Sequence, residues 1–125
     1  MGFTLRFIIL FVMVLFQLTP VLLFLSGIIG ISAHFVGKRE KWGRFDTFYY
    51  ACITATTVGY GDFRPKAKRS RVLAIVIALT GLIITGIVVA VAMQALTKAF
   101  VFTMEGKSLA QTVAYVIDLM SKSFE

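Results

Sequence analysis

The sequence predicts an all-α membrane protein in which two transmembrane helices flank a short re-entrant helix, and three observations carry that prediction. The chain has 125 residues, of which 58% are hydrophobic and 15% charged, with a mean hydropathy of +0.88. A soluble domain of this size needs far more polar surface. Two uncharged stretches, Phe7 to Phe35 and Val72 to Thr97, each exceed the roughly 20 residues that cross a bilayer as a helix. Between them, an apolar stretch from Phe45 to Gly61, interrupted by Asp46 and closed by Asp62, is too short to cross.

Charge and cysteine content narrow the class further. A formal net charge of +7, from 13 Lys+Arg against 6 Asp+Glu, would suit a nucleic-acid partner in a soluble protein, but here the cations flank the apolar runs. No nucleic-acid partner is expected. One cysteine, Cys52, allows no disulfide within the chain and reads as a small buried hydrophobe. The N-terminal apolar run is longer than a signal peptide's roughly 7–15-residue core, so it reads as a retained helix.

A two-helix domain is expected over 1–103, beginning with a first span at about 7–33. At about 1.5 Å per residue that span is longer than the hydrocarbon thickness and must tilt or protrude. Thr19-Pro20 lies mid-span and predicts a kink or a hinge. Lys38-Arg39-Glu40-Lys41-Trp42-Gly43-Arg44 is an interfacial stretch, with Trp42 suited to the headgroup level. A short helix at about 46–56 follows, with Asp46 as its expected N-cap, entering and leaving on one side of the membrane. The second span is expected at about 72–97; Gly81 and Gly86 within it serve either bending or close helix packing. In 104–125, Leu109, Val113, Val116 and Met120 recur in 4-3-4 spacing, an amphipathic helix that suits a self-associating bundle or a membrane surface equally.

After the re-entrant helix stands Thr54-Ala55-Thr56-Thr57-Val58-Gly59-Tyr60-Gly61-Asp62, a T-x-x-T-x-G-Y-G-D pattern. With the two flanking spans, it resembles the two-transmembrane potassium channel pore family, from the first span to the end of the second. The resemblance implies a potassium-selective channel that conducts K⁺ passively and is not an enzyme. It implies a filter at 57–62 in which carbonyls of Thr57, Val58, Gly59 and Tyr60 form stacked K⁺ sites, the short helix being the pore helix. Rings of oxygen replace the ion's hydration shell, and Gly59 and Gly61 supply the positive φ that lets successive carbonyls face one axis. One strand cannot encircle an ion, so the resemblance implies a fourfold homotetramer. K⁺ is the cargo, and no organic cofactor is expected.

By the same resemblance, Tyr49 and Tyr50 brace the filter together with Asp62, or are only interface aromatics. Ile53 stands where some members carry a glutamate paired with the aspartate after the last glycine, so Asp62 needs another partner. Gly81 and Gly86 fall at positions where the family keeps hinge residues, Ala90 and Gln94 at the bundle crossing, and Arg64 at the outer mouth. The family orientation puts both termini in the cytoplasm of a cell bounded by the plasma membrane. That leaves nine of the thirteen cations outside (Lys38, Arg39, Lys41, Arg44, Arg64, Lys66, Lys68, Arg69, Arg71), against the positive-inside bias; membrane lipids with anionic headgroups, or acidic neighbours, are the partners that would account for it. His34 is either a solvated interfacial side chain or a pH-sensitive one. A weakly selective cation channel and a membrane-anchored adaptor are the alternatives; the second gives no reason for the T-x-x-T-x-G-Y-G-D pattern.

Overall fold

Five helices and no strand account for the secondary structure of the computed structural model, which describes residues 1–125. They are α1 (Gly2–Gln17), α2 (Thr19–Glu40), α3 (Arg44–Ala55), α4 (Lys68–Met104) and α5 (Leu109–Ser123). Two of them, α2 and α4, are long and apolar enough to cross a membrane.

The first span departs from the expected single helix at about 7–33. It is two helices meeting at Leu18, whose φ of −86° and ψ of 0° end α1. Pro20 is the cause. It offers no N–H to the Phe16 carbonyl one turn back, and its ring crowds that carbonyl, whereas in the first turn of a new helix the missing donor costs nothing. Starting again at Thr19, α2 has 22 residues, about 33 Å, which matches a hydrocarbon core of roughly 30 Å.

The N-cap of α3 is Gly43, in an extended conformation, and not the expected Asp46. Asp46 is the third helical residue, where its carboxylate still lies in the first turn and is favoured by the helix dipole. α4 runs unbroken for 37 residues through both Gly81 and Gly86. At its end Gly106 takes φ +65°, and Lys107 N–H donates to the Phe102 carbonyl at 3.2 Å, a six-to-one bond that closes the helix. Ser108 then caps α5: its hydroxyl accepts from Gln111 N–H while the Gln111 side chain accepts from Ser108 N–H.

The chain forms two compact units, Met1–Pro20 with Ile87–Glu125, and Val21–Gly86. In the first, Leu10, Met13, Ala95, Ala99 and Val116 make the core, so α5 returns against α1 and the end of α4. The Arg6 guanidinium ties α1 to that end by donating to Thr103 Oγ1 at 3.2 Å and to the Lys107 carbonyl. α5 buries Thr112 and Val116 and leaves Val113 39% exposed, so its inner face is rotated from the expected Leu109–Val113–Val116–Met120 stripe. Thr112 tolerates burial because its hydroxyl donates to the Ser108 carbonyl one turn back. In the second unit, Ala33, Val36, Tyr50, Ala51 and Ile77 bring α2, α3 and α4 together.

Candidate functional site

The Thr57–Asp62 segment leaves the C-terminal end of α3, where a helix has four carbonyls without intrahelical donors. Three of them are used to fold the segment back. Thr56 N–H donates to Cys52 O at 3.0 Å, Thr57 N–H to Thr54 O at 3.2 Å and Gly59 N–H to Ile53 O at 3.0 Å. Within the segment φ is positive at every second residue: +61° at Thr57, +52° at Gly59 and +79° at Gly61. The two glycines adopt this hand without a Cβ penalty. Thr57 does not, and a left-handed threonine costs on the order of 1–2 kcal/mol. Sequence reasoning found the glycines and missed the third member of the alternation.

Beyond Gly61, Arg64 folds back so that its Nε–H donates to the Gly61 carbonyl at 2.8 Å. Arg64 therefore pairs with the end of the segment and not with Asp62. Asp62 lies near enough to the Tyr49 phenol to act on it. The packing around Tyr49 raises its pKa above the ordinary phenol value, and the Asp62 carboxylate adds to the rise. Tyr49 also meets Phe63 edge-on at 6.0 Å, and Trp42 meets both Phe63 (5.3 Å) and Tyr50 (4.9 Å). Tyr50 is 3% exposed within this group. Edge-to-face pairs of this kind add about 0.5–1.5 kcal/mol each to their burial.

Two members of this support, Phe63 and Glu40, were not legible in the sequence as site residues. Glu40 Oε1 accepts from Lys66 N–H (3.0 Å) and Ala67 N–H (3.1 Å), holding the loop after the segment from the end of α2. No local pattern announces Glu40, because its partners lie 26 and 27 residues further along the chain.

Gly81 is buried against Ala55, the last residue of α3, and a methyl group added to it would overlap the Ala55 carbonyl. The close approach at this glycine is to α3. A methyl group added at Gly86 would meet nothing within 4 Å outside its own helix turn. In the other unit, Ala90 and Gln94 are exposed along α4. Cys52 is exposed, correcting the expected burial, because it lies on the side of α3 away from Tyr50, Ala51 and Ile53. The Val58 and Tyr60 side chains are 53% and 73% exposed within the chain. His34 is exposed beside Phe35, with no acidic partner. No group of three or more His, Cys, Asp or Glu comes together.

A family model described as "Ion channel" matches residues 3–98. Among curated proteins, the chain is 42% identical over 69 residues to "Two pore potassium channel a" of Oryza sativa subsp. japonica, a match covering 55% of this chain and 19% of that one. It is 35% identical over 66 residues to "Potassium channel subfamily T member 1" of Gallus gallus, covering 53% and 5%. Over 38 residues it is 47% identical to "Voltage-gated potassium channel" of Aeropyrum pernix, covering 30% and 13%. The chain thus spans less than a fifth of the length of these relatives. No solved structure matches it.

Proposed function

Because the chain belongs to the ion-channel family, we propose that it is a potassium channel pore, conducting K⁺ passively through the backbone of Thr57–Tyr60 in a fourfold homotetramer. The observation that carries this reading is the alternation of positive φ at Thr57, Gly59 and Gly61 directly after α3. Backbone of alternating hand directs successive carbonyls toward one side, and four such strands surround a dehydrated cation with oxygen. K⁺ is the cargo of this process, which needs neither an organic cofactor nor enzymatic chemistry.

The uncovered Val58 and Tyr60 support the assembly, since side chains of that size find cover against neighbouring copies. Tyr49, Tyr50 and Asp62 brace the filter in this reading. Gly81 holds α3 against α4, and Gly86, with free surroundings, is the place where α4 bends. Ala90 and Gln94 line the inner constriction. Arg64, bonded to Gly61, rings the outer mouth. Both termini are cytoplasmic and the membrane is the plasma membrane.

Reconstitution into liposomes tests the proposal. A K⁺-dependent flux blocked by barium, with strong preference for K⁺ and Rb⁺ over Na⁺, is expected. Absence of flux from folded, membrane-inserted protein refutes it in favour of an adaptor, and a reversal potential near zero under K⁺/Na⁺ bi-ionic conditions refutes the selectivity.

A further inference from the structure

Between Arg71 and Glu105 the chain carries a single charge, Lys98 on α4. Lys98 stands one helical turn beyond Gln94 and lines a shallow groove with it, together with Met93 and Thr97. Its stem therefore starts beside the face that the proposed pore turns inward, and four free ammonium groups there would repel K⁺ at the inner entrance. No carboxylate answers this charge, since the ion pairs of the chain are Lys107–Glu105 and Lys122–Asp118.

A neutral partner on α5 answers it instead. Lys98 Nζ donates to the Tyr115 hydroxyl oxygen at 3.4 Å and stands 5.6 Å from the centroid of the same ring. The ring is itself fixed, because Phe102 meets it edge-on at 5.5 Å and the next residue, Val116, is buried with Leu10, Met13, Ala95 and Ala99. α5 packs against α1 as well as α4, so an ammonium held by Tyr115 is drawn toward α5 and away from Ala90 and Gln94.

We infer that Tyr115 is a positioning residue for conduction: it holds the Lys98 ammonium aside, so that K⁺ at the inner entrance meets less positive charge than α4 alone would present. A partly exposed contact of a cation with a tyrosine favours the held position by about two- to fivefold, which sets the size of the effect. The inference rests on the pore reading and adds to it a role for the helix that follows the second span.

The test is single-channel K⁺ conductance of the full chain in planar bilayers, taken as the ratio of variant to unmodified protein at low and high salt. Tyr115→Leu is expected to lower conductance about threefold in about 20 mM KCl and by less than about 1.3-fold in about 1 M KCl, where charge is screened within roughly 3 Å. Tyr115→Phe keeps the packing and loses the acceptor oxygen; it is expected to fall between the two, and it serves if the leucine variant fails to fold. In a Lys98→Gln background both losses are expected to disappear. Acetylation of the folded protein, read by peptide mass spectrometry against the exposed Lys41, is expected to reach Lys98 about two- to fivefold faster in either Tyr115 variant. Unchanged low-salt conductance or unchanged acetylation of Lys98 overturns the inference. So does a loss that persists at high salt or with Lys98→Gln, which would assign Tyr115 to packing alone. If the unmodified protein conducts no K⁺, the pore reading fails and this inference with it; if it conducts and the Tyr115 variants match it, the inference alone fails.

Discussion

Thr57, Gly59 and Gly61 show how unevenly the sequence discloses single residues. The glycines were legible because only glycine takes positive φ freely, and that requirement predicts that Gly59→Ala abolishes K⁺ flux while the protein still inserts and assembles, as flux and chemical cross-linking on the same preparation would show. Thr57 was not legible as a left-handed residue, since nothing local favours that hand in a β-branched side chain. Glu40 was hidden for another reason: its partners, Lys66 and Ala67, are tertiary neighbours 26 and 27 residues away. Glu40→Ala is expected to lower the thermal midpoint and Glu40→Gln to retain most of it, because glutamine keeps an acceptor oxygen for the two N–H groups. Gly81 was read with its two uses open, and the contact with Ala55 supports packing. Gly81→Ala must displace backbone and not a flexible side chain, so it is expected to destabilise the fold by about 1–3 kcal/mol or more, measured by chemical or thermal unfolding in detergent.

At the scale of elements, length and hydropathy located α3 to within two residues and the apolar middle of α4, which starts four residues earlier and ends seven later than expected, and Pro20 announced the interruption of the first span. What the pattern did not reveal is that the interruption separates two helices. Periodicity is silent on this point because α1 and α2 are apolar on most of their faces. α5 was visible as an amphipathic helix, yet its inner face was misplaced by one position, Thr112 standing where Val113 was expected. A polar side chain that satisfies itself on the preceding turn does not register in a hydrophobic count. Packed against Leu10, Met13, Ala95 and Ala99, α5 supports its own chain. Truncation after Thr103 is therefore expected to lower the unfolding midpoint and expose that core to solvent probes, and Ser108→Ala to cost about 1 kcal/mol through loss of the cap. Equal stability of the truncated and full chains would assign α5 to the membrane surface instead.

For the whole molecule, the arrangement of charge around the expected outer mouth sets the response to blockers. Arg64 bonds to the Gly61 carbonyl, so four copies would concentrate guanidinium charge at the entrance. External tetraethylammonium is expected to block poorly, and Arg64→Tyr to restore block by offering an aromatic face to the cation. Raising ionic strength is expected to change single-channel conductance, because exposed charge is screened over roughly 8–10 Å at physiological salt. Strong block of the unmodified protein would show that the entrance is electrically neutral. In one chain Val58 and Tyr60 are left without cover, which supports the proposed assembly without fixing its symmetry.

Trp42 is the single tryptophan of the chain, and its ring lies edge-on to both Tyr50 and Phe63. The molecule thus carries a built-in fluorophore one residue removed from Asp62. Excitation of tyrosine should pass efficiently to the indole over these distances, and the emission wavelength should report whether Phe63 keeps water away from it. Replacing K⁺ by Na⁺ in the bathing solution would then be read optically, without electrodes or labels, as a change in the colour and yield of one indole ring.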